Sequence, residues 1–185
     1  MYKKDTTNKE IVFSYPVDGI FESASRVSAY NSKNIRDNQG NSLLAEYAIS
    51  DDEKDVFVQG LHSVLPEIYE KILKVTDRNE NTDGSSAFGI KQMDVKVNGT
   101  TVKKDCVYVE IKDNDAYNHN VLSLVDASFL ECIVEGSLKS WYKNCAQGDL
   151  FAMYTKSFAD NLEKLFSRMF QLKIKKTTNM LGMQS

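Results

Sequence analysis

Two long helical patterns follow one another within residues 118–175, and they constrain the fold more than any other feature of the chain. Between Val121 and Cys145, apolar residues occupy more than one face of a helix, so this helix is expected to be buried from two sides. From Phe151 to Leu172, apolar residues recur at steps of three and four, which predicts a single buried stripe. Because the link between the two patterns is short, the helices are predicted to lie antiparallel.

The break between these helices has a helix-ending and a helix-starting signal. Gly148 is predicted to supply a left-handed residue that ends the first helix, and Asp149 is predicted to cap the second through its carboxylate. Trp141 continues the apolar stripe of the first helix and is expected to be buried between the two helices.

A third long helix is predicted to begin after Ser50. Ser50 and Glu53 have the spacing of a capping box, in which each residue bonds the backbone of the other, and the two aspartates between them suit the positive end of a helix. Its apolar stripe runs to Val75. Pro66 interrupts the stripe, so a kink or a restart is expected near Leu65.

Strand patterns occupy two separate parts of the chain. Residues 11–15 are predicted to form an edge strand, because Pro16 cannot donate to a sheet. From Phe88 the apolar period changes to two, and Asn98-Gly99 then predicts a type I′ hairpin. The return strand is expected at residues 106–111. A shorter strand near residues 101–102, ending in a turn at residues 103–105, remains an open alternative.

Together these patterns predict a mainly α, α+β domain. We expect an antiparallel bundle of about three long helices with a small antiparallel sheet or β-hairpin, and a short helix within residues 17–27. At 185 residues the chain is long enough for one well-buried core. The expected organisation is a flexible arm at residues 1–9, one domain at residues 10–173, and a flexible basic tail at residues 174–185.

Catalytic and metal-binding patterns are weak in this sequence. His62 and His119 have no Ser, Cys or paired carboxylate at a spacing that local structure would bring together, and no glycine-rich phosphate loop is present. The acidic clusters at residues 51–55 and 113–115 are explained by a helix start and a turn. Three widely spaced cysteines are expected to be reduced structural thiols. We therefore expect a non-enzymatic protein with no metal and no cofactor.

The end of the last helix is basic and carries off-stripe aromatic residues. Cations at a helix C-terminus suit its dipole, but they can also bind an acidic protein surface or phosphate groups. The net charge of −3 counts against general attraction to nucleic acid. The residues predicted to contact a partner are Phe166, Arg168, Phe170, Lys173, Lys175 and Lys176.

The helical hairpin, with Trp141-Tyr142 before the break at residues 147–149 and an aromatic-spaced helix after it, resembles the C-terminal half of head–tail connector proteins of tailed bacteriophages. The capped helix from Ser50 and the Asn98-Gly99 hairpin occur in the same order as in variants from phages of gut bacteria. The resemblance covers most of residues 40–172. It implies a head-completion or adaptor protein that forms a ring in the neck of the virion, with its helices packed between neighbouring copies.

Together with the lack of a catalytic pattern, the resemblance implies a non-enzymatic connector that joins the portal to the tail. Its expected partners are copies of itself, the portal or neighbouring neck and tail proteins, and DNA contacted non-specifically in the channel. It is expected in the virion, and in the host cytoplasm during assembly, with no membrane association. The alternatives are a nucleic-acid-binding or regulatory module that uses the basic C-terminal segment, and a small enzyme with an unrecognised site.

Overall fold

A computed structural model of the chain describes residues 2–7, 9–73, 75 and 88–173. The predicted flexible tail at residues 174–185 lies outside these residues. The strands are β1 (Tyr2–Asp5), β2 (Glu10–Pro16), β3 (Phe88–Val97) and β4 (Thr100–Lys112). The helices are α1 (Val17–Ser32), α2 (Leu44–Tyr47), α3 (Lys54–Leu73), α4 (Leu122–Asn144) and α5 (Gly148–Lys173), with short 3₁₀ turns at Asp51–Glu53 and His119–Val121.

The α+β class with an antiparallel sheet is confirmed. The three-helix description is too simple, because the described part of the chain contains four helices of 16, 20, 23 and 26 residues. The helix expected at residues 17–27 extends to Ser32 and packs against α4 as the fourth long helix. Two of its serines, Ser28 and Ser32, are buried.

The four described strands form one antiparallel sheet in the order β1-β2-β4-β3. The prediction that residues 11–15 form an edge strand is wrong, because β1 pairs with one side of β2 and β4 with the other. Residues 2–5, which were expected to belong to a flexible N-terminal segment, form β1. β4 is far from β2 in sequence and leaves no local signal there, whereas β1 lies next to β2 in sequence but is mostly charged and has no apolar alternation that would indicate a strand.

The predictions that depend on residues close together in sequence, the Asn98-Gly99 turn and the Ser50–Glu53 capping box, are confirmed. Asn98 and Gly99 both have positive φ, at 49° and 82°, as a type I′ turn requires. The strand after the turn is continuous from Thr100 to Lys112, so the alternative turn at residues 103–105 is excluded. The capping box is also confirmed, since the Ser50 amide donates to Glu53 Oε2 at 3.1 Å. α3 continues through Pro66 without restarting.

The helix end between α4 and α5 differs from the prediction in the residue that adopts the left-handed conformation. Gly148 is the first residue of α5 and Asp149 lies in its first turn, whereas the left-handed residue is Ala146, with φ 53°. The Gln147 amide donates to the Tyr142 carbonyl at 3.1 Å, and the Ala146 amide donates to the Lys143 carbonyl at 3.2 Å. This pair of bonds is a Schellman motif with alanine at the position that usually holds glycine.

α4 is the centre of the fold, as its two-sided apolar pattern predicts. The sheet packs on it through Phe13, whose ring centroid lies 4.8 Å from that of Phe129. The Tyr15 hydroxyl donates to Asp126 of α4 at 2.8 Å. Trp141 is buried as expected, and its indole N–H donates to the Tyr47 carbonyl at 2.9 Å, so it also fastens the short α2 segment to α4.

Candidate interaction surfaces

The β3–β4 hairpin extends past the rest of the sheet. β2 pairs with β4 only between Cys106 and Lys112, and Cys106 is opposite Lys91 on β3. Residues 92–105, here called the arm, therefore form a two-stranded ribbon in which each strand has only the other as its neighbour among the described strands. A two-stranded ribbon has two faces and two edges that the rest of the sheet does not cover.

The apolar side chains of the arm lie on the face opposite to the one that packs against the helices. Val107 is buried in the core and is paired with Ile90, so odd positions of β4 and even positions of β3 face the helices. In the arm, the apolar residues instead occupy the face that points away from the helices. These partly or fully exposed residues are Met93, Val95, Val97 and Val102.

The base of the arm is fastened to the helices by charges and aromatic rings. Asp18, in the first turn of α1, accepts from Lys54 of α3 at 2.7 Å and from Lys104 of the arm at 3.0 Å. The hydrogen bonds from Lys54 and then Lys104 lower the pKa of Asp18 below its usual value. At the start of β3, Phe88 stacks on Tyr69 of α3, with ring centroids 3.9 Å apart. These contacts fix the direction in which the arm leaves the domain.

Further along the arm, Asp94 and Lys96 are exposed and form no ion pair with any side chain in the described ranges. Asp94 is opposite Lys103 and Lys96 is opposite Thr101 in the β3–β4 register. These two charges lie on the arm face that continues the helix-facing side of the sheet. They are thus available to a second molecule.

The residues predicted to bind a partner do not form one surface. Phe166 is half-buried against the core, with Lys71 Nζ 5.1 Å from its ring centroid. Arg168 donates to the Leu124 carbonyl at 2.9 Å and to the Ser128 hydroxyl. Phe170 is 56% exposed. Lys173 is half-buried, whereas Lys175 and Lys176 lie outside the described residues.

A smaller apolar surface remains at the end of the helical hairpin formed by the start of α4 and the end of α5. Leu124 is 47% exposed and Phe170 is 56% exposed. The hydrogen bond from Arg168 to the Leu124 backbone places the two exposed side chains at the same end of the hairpin. We call Leu124 and Phe170 the hairpin-end surface.

One charged cluster was missed at the sequence level. His119 Nε2 lies 2.6 Å from Asp113 Oδ1 and 3.2 Å from Lys4 Nζ, and Lys4 Nζ lies 3.0 Å from Asp113 Oδ2. Burial tends to raise the pKa of Asp113, but the hydrogen bonds from His119 and Lys4 outweigh burial and lower it. The cluster joins β1 to the loop before α4. Lys4 is far from the other two in sequence, and Asp113 and His119 are six residues apart in a loop that has no regular period, so their spacing did not reveal the cluster.

A polar groove of about 490 Å³ lies between α3, α4 and α5. One of the two lysines at its wall, Lys139, is bonded to Glu67 at 2.8 and 2.9 Å and lies 4.4 Å from the ring centroid of Phe158. That lysine is therefore already neutralised within the chain. Within the described residues, no three His, Cys, Asp or Glu side chains are grouped as metal ligands would be.

The cysteines are placed as packing residues. Cys106 and Cys132 are buried and Cys145 is partly buried. Burial raises the pKa of all three thiols, that of Cys132 to about 12, which keeps them protonated and poorly nucleophilic.

The chain matches no protein-family model, no curated protein sequence and no solved structure. Among the helices of the described residues, none combines the length and apolar character that a membrane crossing requires.

Proposed function

We propose that this chain is a non-enzymatic structural subunit of a tailed-phage virion, a head–tail connector that forms a ring with copies of itself and joins the portal to the tail. The single observation that supports this most is the hairpin-end surface. Leu124 and Phe170 are large apolar side chains that are both exposed at the same end of the α4–α5 hairpin. Exposed aromatic side chains such as that of Phe170 are enriched in protein–protein contacts.

The helical hairpin is also a suitable element to carry such a contact. α4 and α5 pack along their whole length, and the α5 side chains Lys164 and Arg168 are fastened to α4 by Glu131 and Ser128. A rigid pair of helices can present its outer surface to a neighbour with little loss of conformational entropy. When such a contact joins two different surfaces of identical subunits and the rotation closes, a ring results.

The alternative of a nucleic-acid-binding module depended on the basic end of α5. Two of its cations, Lys164 and Arg168, are bonded within the chain, to Glu131 at 2.6 Å and to the Leu124 carbonyl at 2.9 Å. Cations that are already bonded contribute less to phosphate binding than free ones, because the internal bonds must first be broken. The alternative then depends on lysines beyond residue 173.

Native mass spectrometry and negative-stain electron microscopy of the purified chain test the proposal. We expect closed rings from the wild type and their loss from the double variant Leu124→Asp/Phe170→Asp, since the charges would have to be buried in the contact. Lys156→Asp, an exposed change on the same α5 helix, is the matched control and should keep the rings. A monomer that binds DNA in a salt-dependent way would instead favour the alternative.

A further inference from the structure

The outer edge of β3 has no strand beside it among the described strands. β3 is the last strand in the order β1-β2-β4-β3 and is ten residues long. Alternate residues of such a strand direct their backbone N–H and C=O groups away from β4, where they can pair with another strand. Unlike many exposed edges, this one contains no proline and ends in a regular two-residue turn.

The sequence of the arm is complementary to itself in one antiparallel register. If a two-fold axis passes between the Val95 residues of two copies, Asp94 of each copy lies opposite Lys96 of the other. Met93 then lies opposite Val97 of the other copy. At every position from 93 to 97, therefore, a charged side chain lies opposite one of the other sign, or an apolar side chain lies opposite another apolar one.

Neighbouring registers lack this match. An axis at Asp94 places the two aspartates opposite each other, and an axis at Lys96 does the same to the two lysines. An axis halfway between two residues places Asp94 or Lys96 opposite an apolar side chain and moves the apolar residues to the wrong face. Only the register centred on Val95 pairs both free charges.

We propose that two copies of this chain associate through their arms, β3 against β3, antiparallel about a two-fold axis at Val95. The four-stranded sheets of the two copies then become one sheet of eight strands. On one face, Asp94 and Lys96 form two symmetry-related ion pairs between the copies. On the other face, Val102, Val95 and their equivalents in the second copy make a continuous apolar strip across the junction.

This contact is distinct from the ring contact proposed above. A two-fold contact uses the same surface on both copies, whereas a ring contact uses two different surfaces. The arm and the hairpin-end surface share no residue, so a test on one leaves the other intact. Because strand pairing alone buries little area, the dimer should be of moderate affinity and concentration-dependent.

Sedimentation equilibrium over a concentration series, between about 1 µM and 1 mM, measures the association in the Leu124→Asp/Phe170→Asp background, which lacks the ring contact and serves as the reference protein for every arm variant. Lys96→Asp places acidic residues opposite each other in both symmetry-related pairs and should weaken dimerisation by about tenfold or more. Asp94→Lys places basic residues opposite each other and should weaken dimerisation by a similar factor. The added double change Asp94→Lys/Lys96→Asp exchanges the charges within each pair and should restore the affinity of the reference protein.

The matched control is Lys156→Asp, an equal charge change on an exposed position of α5 that should not alter the affinity. Circular dichroism confirms that each variant is folded, as expected for exposed substitutions. The proposal is overturned if the Leu124→Asp/Phe170→Asp reference protein stays monomeric throughout the series. It is also overturned if adding Lys96→Asp leaves dimerisation unchanged, or if the folded charge-exchanged variant does not recover it.

Disulfide trapping tests the register itself. In a Cys145→Ser background, where Cys106 and Cys132 are buried, Val95→Cys places two thiols directly across the two-fold axis, within reach of a disulfide. Val97→Cys places them four residues apart along the strands, about 13 Å, which is too far. Efficient oxidation to a dimer by Val95→Cys alone is expected, and equal or better cross-linking by Val97→Cys would exclude this register.

Discussion

At the residue scale, small side chains decide how closely the helices approach α4. Gly136 is buried in α4 where α3 and α5 both reach it. A Cβ at this position would lie 2.8 Å from Phe158 Cε2 and nearer still to Val64 Cγ1. Both neighbours belong to the buried core, so neither can move away freely.

Gly136→Ala should therefore destabilise the protein by about 1 to 3 kcal/mol through overpacking, even though alanine is the better helix former. Gly19→Ala is the matched control, because Gly19 lies in α1 with no atom near the added methyl group. That variant should gain up to about 1 kcal/mol. Urea denaturation of both variants measures the difference, and a shift of the same sign in both would contradict this account of Gly136.

At the element scale, the turn between α4 and α5 contains a strained residue. Ala146 adopts φ 53° in the Schellman motif that ends α4. A left-handed conformation costs an alanine about 1 to 2 kcal/mol, because its Cβ approaches a carbonyl oxygen. Glycine avoids that contact but loses more entropy on folding, by roughly 0.4 to 1 kcal/mol.

Ala146→Gly should accordingly stabilise the protein by about 0.5 to 1 kcal/mol. The same substitution at Ala152, an exposed position inside α5, should destabilise it by about 1 kcal/mol. Thermal unfolding of the two variants should thus shift the melting temperature in opposite directions. A fall in melting temperature for Ala146→Gly would show that the motif tolerates alanine without strain.

The elements that the sequence predicted well are those whose signals are local. The Ser50–Glu53 capping box and the Asn98-Gly99 turn depend on residues within four positions of each other, so their patterns are complete in the sequence. The prediction for Gly148 is wrong, because glycine is the usual left-handed residue at a helix end but Ala146 has that conformation here.

The candidate surfaces could be predicted only in part, because exposure depends on tertiary contacts. Phe170 was expected to be exposed and is, but Phe166 and Arg168 are engaged by Lys71 and by Ser128, residues that are far from them in sequence. The sequence shows the period-two pattern of the β3–β4 hairpin. It does not show which face of the hairpin lacks a helix, because that depends on the pairing of β4 with β2.

At the scale of the whole molecule, buried tyrosines join the sheet and the helices. The Tyr15 hydroxyl donates to the carbonyl and the carboxylate of Asp126, at 2.9 and 2.8 Å, and so connects β2 to α4. Tyr154 of α5 stacks on Tyr142 of α4, with ring centroids 5.3 Å apart, and receives a hydrogen bond from Asn31 of α1 at 2.6 Å. Folding therefore removes three phenol groups from water.

This arrangement makes the stability of the fold sensitive to alkaline pH. Burial raises the pKa of Tyr15, with a further contribution from Asp126, and it raises the pKa of Tyr142 and brings that of Tyr154 to about 12. An unfolded tyrosine ionises near pH 10. Because the folded-state values are higher, the stabilisation from these groups is fully present below about pH 10 and is lost as the pH rises through the folded-state values.

The free energy of unfolding should therefore fall above about pH 10, by up to roughly 1.4 kcal/mol per pH unit for each buried tyrosine. Tyr15→Phe removes one of these groups and should make the decline shallower, even though loss of the bond to Asp126 lowers stability at neutral pH as well. Tyr30→Phe is the matched control, because Tyr30 is 78% exposed. Urea denaturation of both variants at several alkaline pH values gives the two slopes, and equal slopes would show that Tyr15 ionises in the folded protein as freely as an exposed tyrosine.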